Sequence, residues 1–85
     1  MQLARVLGQI TATIKHPSLN GKRMLVAQPL DAGGEPESDP VMVVDRLGAG
    51  IGQVVVIDSD GRGARDYIGD AKTPVRWVVM GIVDE

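Results

Sequence analysis

Residues 45–57 read DRLGAGIGQVVVI, a glycine-rich turn followed by an apolar run. Glycine occupies every second position from 48 to 52, and glycine gives the backbone access to positive φ and lets another backbone approach closely. The run at 54–57 is apolar at successive positions, which is typical of a strand buried on both faces. This stretch therefore predicts a β-rich fold in which shorter strands pair with 54–57.

Apolar alternation and short apolar runs predict four further strands. Apolar and polar residues alternate in the first of them, the pattern of a half-buried strand, and Gly8 in its middle predicts a bulge or a point where the strand coils. One or two helical turns are expected at 62–68 and an exposed, pliable connection at 31–39. These elements predict a mainly β fold, a five-stranded OB-like β-barrel with one short helix before the last strand. The strands are expected at 3–14, 23–28, 41–44, 54–57 and 75–83.

The chain is short enough that its core needs support. Its 85 residues predict a single domain, 1–85, and the sequence contains no cysteine that could form a disulfide or a thiolate metal site. A domain of this size buries only about 60% of its unfolded surface. The predicted strands after the first are apolar on both faces, and one of these faces lies outside the barrel. We expect other subunits to cover it, in a homo-oligomer.

Charge and aromatic content bear on the possible partners. Nine basic residues are scattered among eleven acidic ones, giving a net charge of −2, and the aromatic residues are Tyr67 and Trp77. Single-stranded nucleic-acid sites use a basic groove with aromatic platforms, so a small binding module for nucleic acid or a small ligand is the alternative rather than the main hypothesis. No signal peptide or membrane span is predicted, and a cytoplasmic location is expected.

The candidate chemical motifs are incomplete. The third glycine of the turn, Gly52, comes one position too early for a dinucleotide fingerprint, and a strand follows where that fingerprint needs a helix. Residues 58–63 begin like a calcium loop, but Arg62 and Gly69 occupy ligand positions. His16 is the only histidine, and Ser59 has Ile57 in place of the first glycine of the G-x-S-x-G nucleophile elbow. The sequence predicts no catalytic residue, no metal site and no cofactor, and therefore no enzyme.

Four motifs in order along nearly the whole chain resemble a known family. They are Gly-Gln-Ile at 8–10, Leu-Val with Gln-Pro at 25–29, Asp-x-Leu-Gly-Ala-Gly-x-Gly at 45–52 and Gly-Ile-Val-Asp at 81–84. Together they resemble the EutN/CcmL family of bacterial microcompartment vertex proteins. The resemblance implies an OB-like barrel without catalytic activity, assembled as a cyclic homopentamer at the five-fold corners of a shell.

The resemblance also implies which residues meet partners. The turn is expected to lie against neighbouring subunits, with glycines where backbones pack closely. Hexameric shell proteins are the other expected partners, and the exposed loop at 15–22 is a candidate contact with them. The turn residues are Asp45, Gly48, Ala49, Gly50 and Gly52, and the candidate shell-contact residues are Lys15, His16, Asn20 and Lys22.

Overall fold

A computed structural model describes residues 1–10, 23–59 and 76–83 of the chain. Within these ranges it contains five strands. Those predicted at 23–28, 41–44 and 54–57 are correct to within one residue at each end. The predicted helix at 62–68 and the loop at 15–22 lie outside the described residues. The strands are β1 (Gln2–Gln9), β2 (Arg23–Pro29), β3 (Val41–Asp45), β4 (Val54–Asp58) and β5 (Trp77–Ile82).

The five strands close into a barrel in the order β1-β2-β3-β5-β4. All neighbours pair antiparallel except β3 and β5, which run parallel over a short contact. The closed five-stranded barrel confirms the predicted fold class. In the described part of the chain, there is no helix with the length and hydropathy needed to cross a membrane.

The first strand follows its predicted alternation but ends earlier than expected. Ala4 and Val6 are buried, whereas Leu3 before them and Arg5 between them are exposed. Pairing of β1 with β2 shifts register between Val6 and Gly8, which confirms the predicted bulge. The strand runs from Gln2 to Gln9 and Ile10 is outside it, and the predicted continuation at 11–14 lies outside the described ranges. The last strand likewise ends at Ile82, one residue before its predicted end.

Small and branched aliphatic side chains fill the interior of the barrel. Trp77 and Ile82 on β5 are partly buried and pack against this cluster. Ala49 belongs to it although it lies in the turn between β3 and β4, so the turn is anchored in the core. The cluster consists of Ala4, Val6, Leu25, Ala27, Val43, Ala49, Val55, Ile57 and Val79.

A second set of apolar side chains is buried on the other face of the sheet. Met24, Val44 and Val78 align across β2, β3 and β5 and are almost fully buried, yet they do not belong to the interior cluster. Their chain neighbours Leu25 and Val43 point into the barrel, and successive strand side chains point to opposite faces. These strands are therefore apolar on both faces, as predicted. The outer side chains Met24, Val44 and Val78 are, however, already covered within the single chain, so the expectation that other subunits cover them is wrong for this part of the face.

The connection at 31–39 is exposed, as predicted, but hydrogen bonds hold it in place. The Asp31 Oδ1 atom accepts the backbone N–H groups of Gly33 at 2.9 Å and Glu35 at 3.0 Å. Leu30 forms a β-bridge with Pro36, and the Gln28 side-chain amide donates to the Ser38 carbonyl at 2.9 Å. Although the segment contains two glycines and a proline, these hydrogen bonds hold it in one conformation, so the expectation of a pliable connection is wrong.

Candidate functional site

The glycine-rich turn, residues 45–53, begins with a buried carboxylate that organises its backbone. Asp45 ends β3 and is 2% exposed. Its Oδ1 atom accepts the N–H of Leu47 at 2.9 Å, and its Oδ2 atom accepts the N–H of Ala49 at 2.9 Å. A short acidic side chain that bonds backbone groups two and four residues later replaces the partners that a regular strand would supply. Asp45 therefore fixes the first half of the turn from inside.

Arg23 at the start of β2 neutralises this buried carboxylate. Register places Arg23 opposite Asp45 in the β2–β3 pair, and its Nε lies 3.2 Å from Asp45 Oδ2. Its Nη2 atom donates to the Ala49 carbonyl at 2.6 Å. A buried charge is tolerated when it is paired and its remaining lone pairs are hydrogen-bonded, and both conditions hold here. Arg23 and Asp45 together clamp the turn onto the barrel.

The second half of the turn is held by its own bonds and by β1. The N–H of Gln53 donates to the Gly50 carbonyl at 3.1 Å, and the Gln53 Oε1 atom accepts the Gly50 N–H at 2.6 Å. Gly52 donates to the Val6 carbonyl at 2.8 Å, and Val6 donates back to Gln53 at 2.9 Å. Arg5 adds a bond from its guanidinium to the Gly52 carbonyl at 2.8 Å. The whole turn is therefore fixed before any partner arrives.

The three glycines of the turn differ in whether the fold of the single chain requires glycine at their position. Gly48 and Gly52 have φ of +84° and +88°, a region that favours glycine, so the expectation of positive φ is right for these two. Gly50 does not have a positive φ. Among the described residues, a Cβ added there would meet only the flexible side chain of Gln53, at 3.5 Å from Oε1. The fold of the single chain therefore gives no reason for glycine at position 50.

Comparison with known proteins identifies the family. The family model described as "Ethanolamine utilisation protein EutN/carboxysome" matches residues 1–84. The chain belongs to the EutN/CcmL family. It is 40% identical to the bacterial microcompartment shell vertex protein PduN of Salmonella typhimurium, over 99% of this chain and 96% of that protein. It is 39% identical to the shell vertex protein EutN of the same organism, over 100% of this chain and 85% of that protein.

A solved structure of the family has the same fold over almost its whole length. The pentameric microcompartment shell protein GrpN from Rhodospirillum rubrum superposes with a TM-score of 0.80 and is 35% identical. The match covers 100% of this chain and 95% of GrpN. The barrel and its turn are therefore the fold of a family that includes a pentameric shell protein.

The structure brings the predicted turn residues of this family member into one loop but gives them different positions. Asp45 and Ala49 are buried within their own chain, so they shape the turn from inside. Gly48 and Gly52 are exposed, and Gly50 is half-buried. The candidate shell-contact residues Lys15, His16, Asn20 and Lys22 lie outside the described ranges.

Sequence reasoning missed three residues of the site. Arg23 carried no local signal, because its role depends on the pairing of β2 with β3. Leu47 and Ile51 stand between the glycines and expose 46% and 72% of their surface. Two large apolar residues in a tight turn are a sequence signal of a contact surface, since tight turns usually carry polar side chains.

The outer surface of the turn is suited to apolar recognition. Leu47 and Ile51 project from a backbone whose polar groups are largely bonded within the chain. Among the described residues, no group of three or more His, Cys, Asp and Glu side chains could hold a metal ion. The arrangement offers a rigid apolar contact surface.

Proposed function

We propose that this chain is a structural subunit of a bacterial microcompartment shell, assembled as a cyclic homopentamer at the five-fold corners. The observation that carries this proposal is the likeness to the pentameric shell protein GrpN over almost the full length of both chains. The vertex names of PduN and EutN support the same role. Large apolar side chains that the barrel leaves exposed, such as Leu3, Leu7 and Met80, also suit a ring, because each subunit then gains burial that its own size does not supply.

The glycine-rich turn is proposed to lie at the contact between neighbouring subunits. Gly50 supports this placement, because neither its φ nor its surroundings within the chain require glycine. A neighbouring backbone close to this position would require it. The turn is also fixed in advance by Asp45 and Arg23, so little conformational entropy is lost when it binds.

The remaining parts of the proposal concern partners and location. We expect hexameric shell proteins to surround each pentamer, with Lys15, His16, Asn20 and Lys22 as candidate contacts, in a shell within the cytoplasm. No catalytic role is proposed, because the vertex relatives are named for their place in the shell. The nucleic-acid alternative gains no support from Trp77, which packs partly buried against the core and is not free to stack on bases.

Shell closure tests the proposed function. A flat lattice of six-fold tiles closes into a polyhedron only where five-fold units interrupt it. When a hexameric shell protein of the same type of compartment is expressed alone, we expect electron microscopy to show open sheets or tubes. Co-expression with this chain should give closed, faceted particles that contain it. Particles that close equally well without the chain would contradict the proposal.

A further inference from the structure

The exposed tip of the turn is a large apolar side chain, Ile51, which would be stabilised by burial in an apolar pocket of matching size. Ile51 is 72% exposed at the tip, and the hydrogen bonds of Gly50 and Gly52 hold the backbone on both sides of it. A large apolar side chain held rigidly in water gains from burial, and its rigidity removes most of the ordering cost.

A shallow apolar pocket lies on the outer face where β1 meets β4. It has a volume of about 250 Å³ and is lined by Met1, Gln2, Leu3 and Val56. Leu3 and Val56 are paired across the two strands. On the other side of Val56, β5 presents Gly81, where an added Cβ would meet no atom of the described residues within 4 Å. The pocket is thus open and lined by uncharged side chains, with room for one branched aliphatic group, and Met1 in its lining also carries the backbone ammonium group.

The chain does not fill this pocket with its own turn. The turn is bonded to β1 at Val6, whereas the pocket lies at Leu3, roughly 10 Å farther along the strand at the usual rise per residue. In a cyclic ring each contact joins two different patches of the subunit, while identical patches that meet each other give a two-fold dimer. An apolar tip and a separate apolar pocket are the two unlike patches that a ring needs.

We propose that Ile51 of one subunit inserts into the pocket formed by Leu3 and Val56 of its neighbour, around the ring. This inference rests on the proposed pentamer and names the surface that receives the turn. Around a closed ring every tip is then buried and every pocket is filled. The contact is apolar, so it should hold when salt screens charges.

Disulfide trapping tests this contact directly, because the natural chain has no cysteine. In an Ile51→Cys/Leu3→Cys double variant, oxidation should link neighbouring subunits and give a denaturing-gel ladder that ends at a covalent pentamer. We expect no disulfide within one chain, since the turn meets β1 at Val6, roughly 10 Å along the strand from Leu3, and the limit between Cα atoms is roughly 7 Å. Each single variant should stay monomeric on the same gel. The matched control, Ile51→Cys/Asp39→Cys, keeps the cysteine at the tip of the turn and places the second cysteine in the exposed connection at 31–39.

The outcomes separate this inference from the proposed function. A pentamer in native mass spectrometry that gives no ladder, or gives it only in the control, overturns the inference and leaves the pentamer intact. A natural chain that is monomeric overturns both.

A mixing experiment covers the case in which the double-cysteine variant does not assemble. Ile51→Asp keeps its pocket and Leu3→Asp keeps its tip, so each alone should fail to form rings. Mixed together, they should form one-to-one heterodimers, in which the intact tip of the Leu3→Asp chain enters the intact pocket of the Ile51→Asp chain. The heterodimer grows no further, because its other tip and its other pocket each carry the aspartate substitution. Absence of the heterodimer when the natural chain is pentameric would contradict the proposed pairing.

Discussion

We expect the Gly50→Arg variant to be a folded monomer. Within the part of the chain that the structure describes, a Cβ added at position 50 meets only the exposed, flexible Gln53 and the rest of the arginine is long and flexible, so we expect the barrel to tolerate it. At a close contact between subunits, however, it inserts bulk and an unpaired charge. That penalty is on the order of 3 kcal/mol, about a hundredfold loss of affinity at each contact. Sedimentation velocity should show one species of monomer mass, and circular dichroism should show an unchanged β spectrum.

Two alanine variants serve as controls for this prediction. Gly52→Ala places a side chain at φ +88°, so it should cost roughly 1–2 kcal/mol of folding free energy. Gly50→Ala avoids this strain, so it should leave the stability of the barrel almost unchanged and weaken assembly less than Gly50→Arg. A Gly50→Arg protein that forms the same oligomer as the natural chain would contradict the placement of the turn at a subunit contact.

The Asp45→Ala variant should show the largest loss of stability. It removes the acceptor of two backbone N–H groups and the partner of Arg23. The N–H of Ala49 is buried, whereas the Arg23 side chain is 41% exposed and can regain water. We therefore expect a loss of about 2–4 kcal/mol, below the full cost of breaking a buried ion pair. Urea unfolding followed by circular dichroism, at equal protein concentration, measures it.

Asp31→Ala is the matched control, because Asp31 also accepts two backbone N–H groups with its carboxylate. Those bonds lie at the surface, where water replaces the lost acceptor, so the expected loss is about 1 kcal/mol or less. Equal losses for the two variants would show that burial of Asp45 is not what makes it important. A smaller loss for Asp45→Ala would contradict its role in fixing the turn.

Local sequence pattern predicted most of the strands, because the burial pattern of a strand is set by residues that are adjacent in the sequence. The alternation around Ala4 and Val6 reports burial of one face, and Gly8 reports the bulge. Strand order could not be obtained in this way. The parallel pairing of β3 with β5 joins Val43 to Trp77, and no local signal states which distant strands become neighbours.

The turn was found from its glycines, but its internal organisation was not. Asp45 was expected to lie near neighbouring subunits, whereas its carboxylate is buried and bonded within its own chain. That arrangement needs Arg23, which is 22 positions earlier and comes opposite Asp45 only through the register of β2 with β3. Gly52 has a positive φ and Gly50 does not, so the reasons for glycine at these two positions differ. The sequence does not reveal these backbone angles.

The mass of the native assembly tests the central claim most directly. Native mass spectrometry of the purified natural chain should show five copies of the 85-residue subunit as the main species. The pentamer should persist as salt is raised, because the proposed contacts are apolar and salt screens only charges. A stable monomer under all these conditions would contradict both the ring and the role of the turn within it.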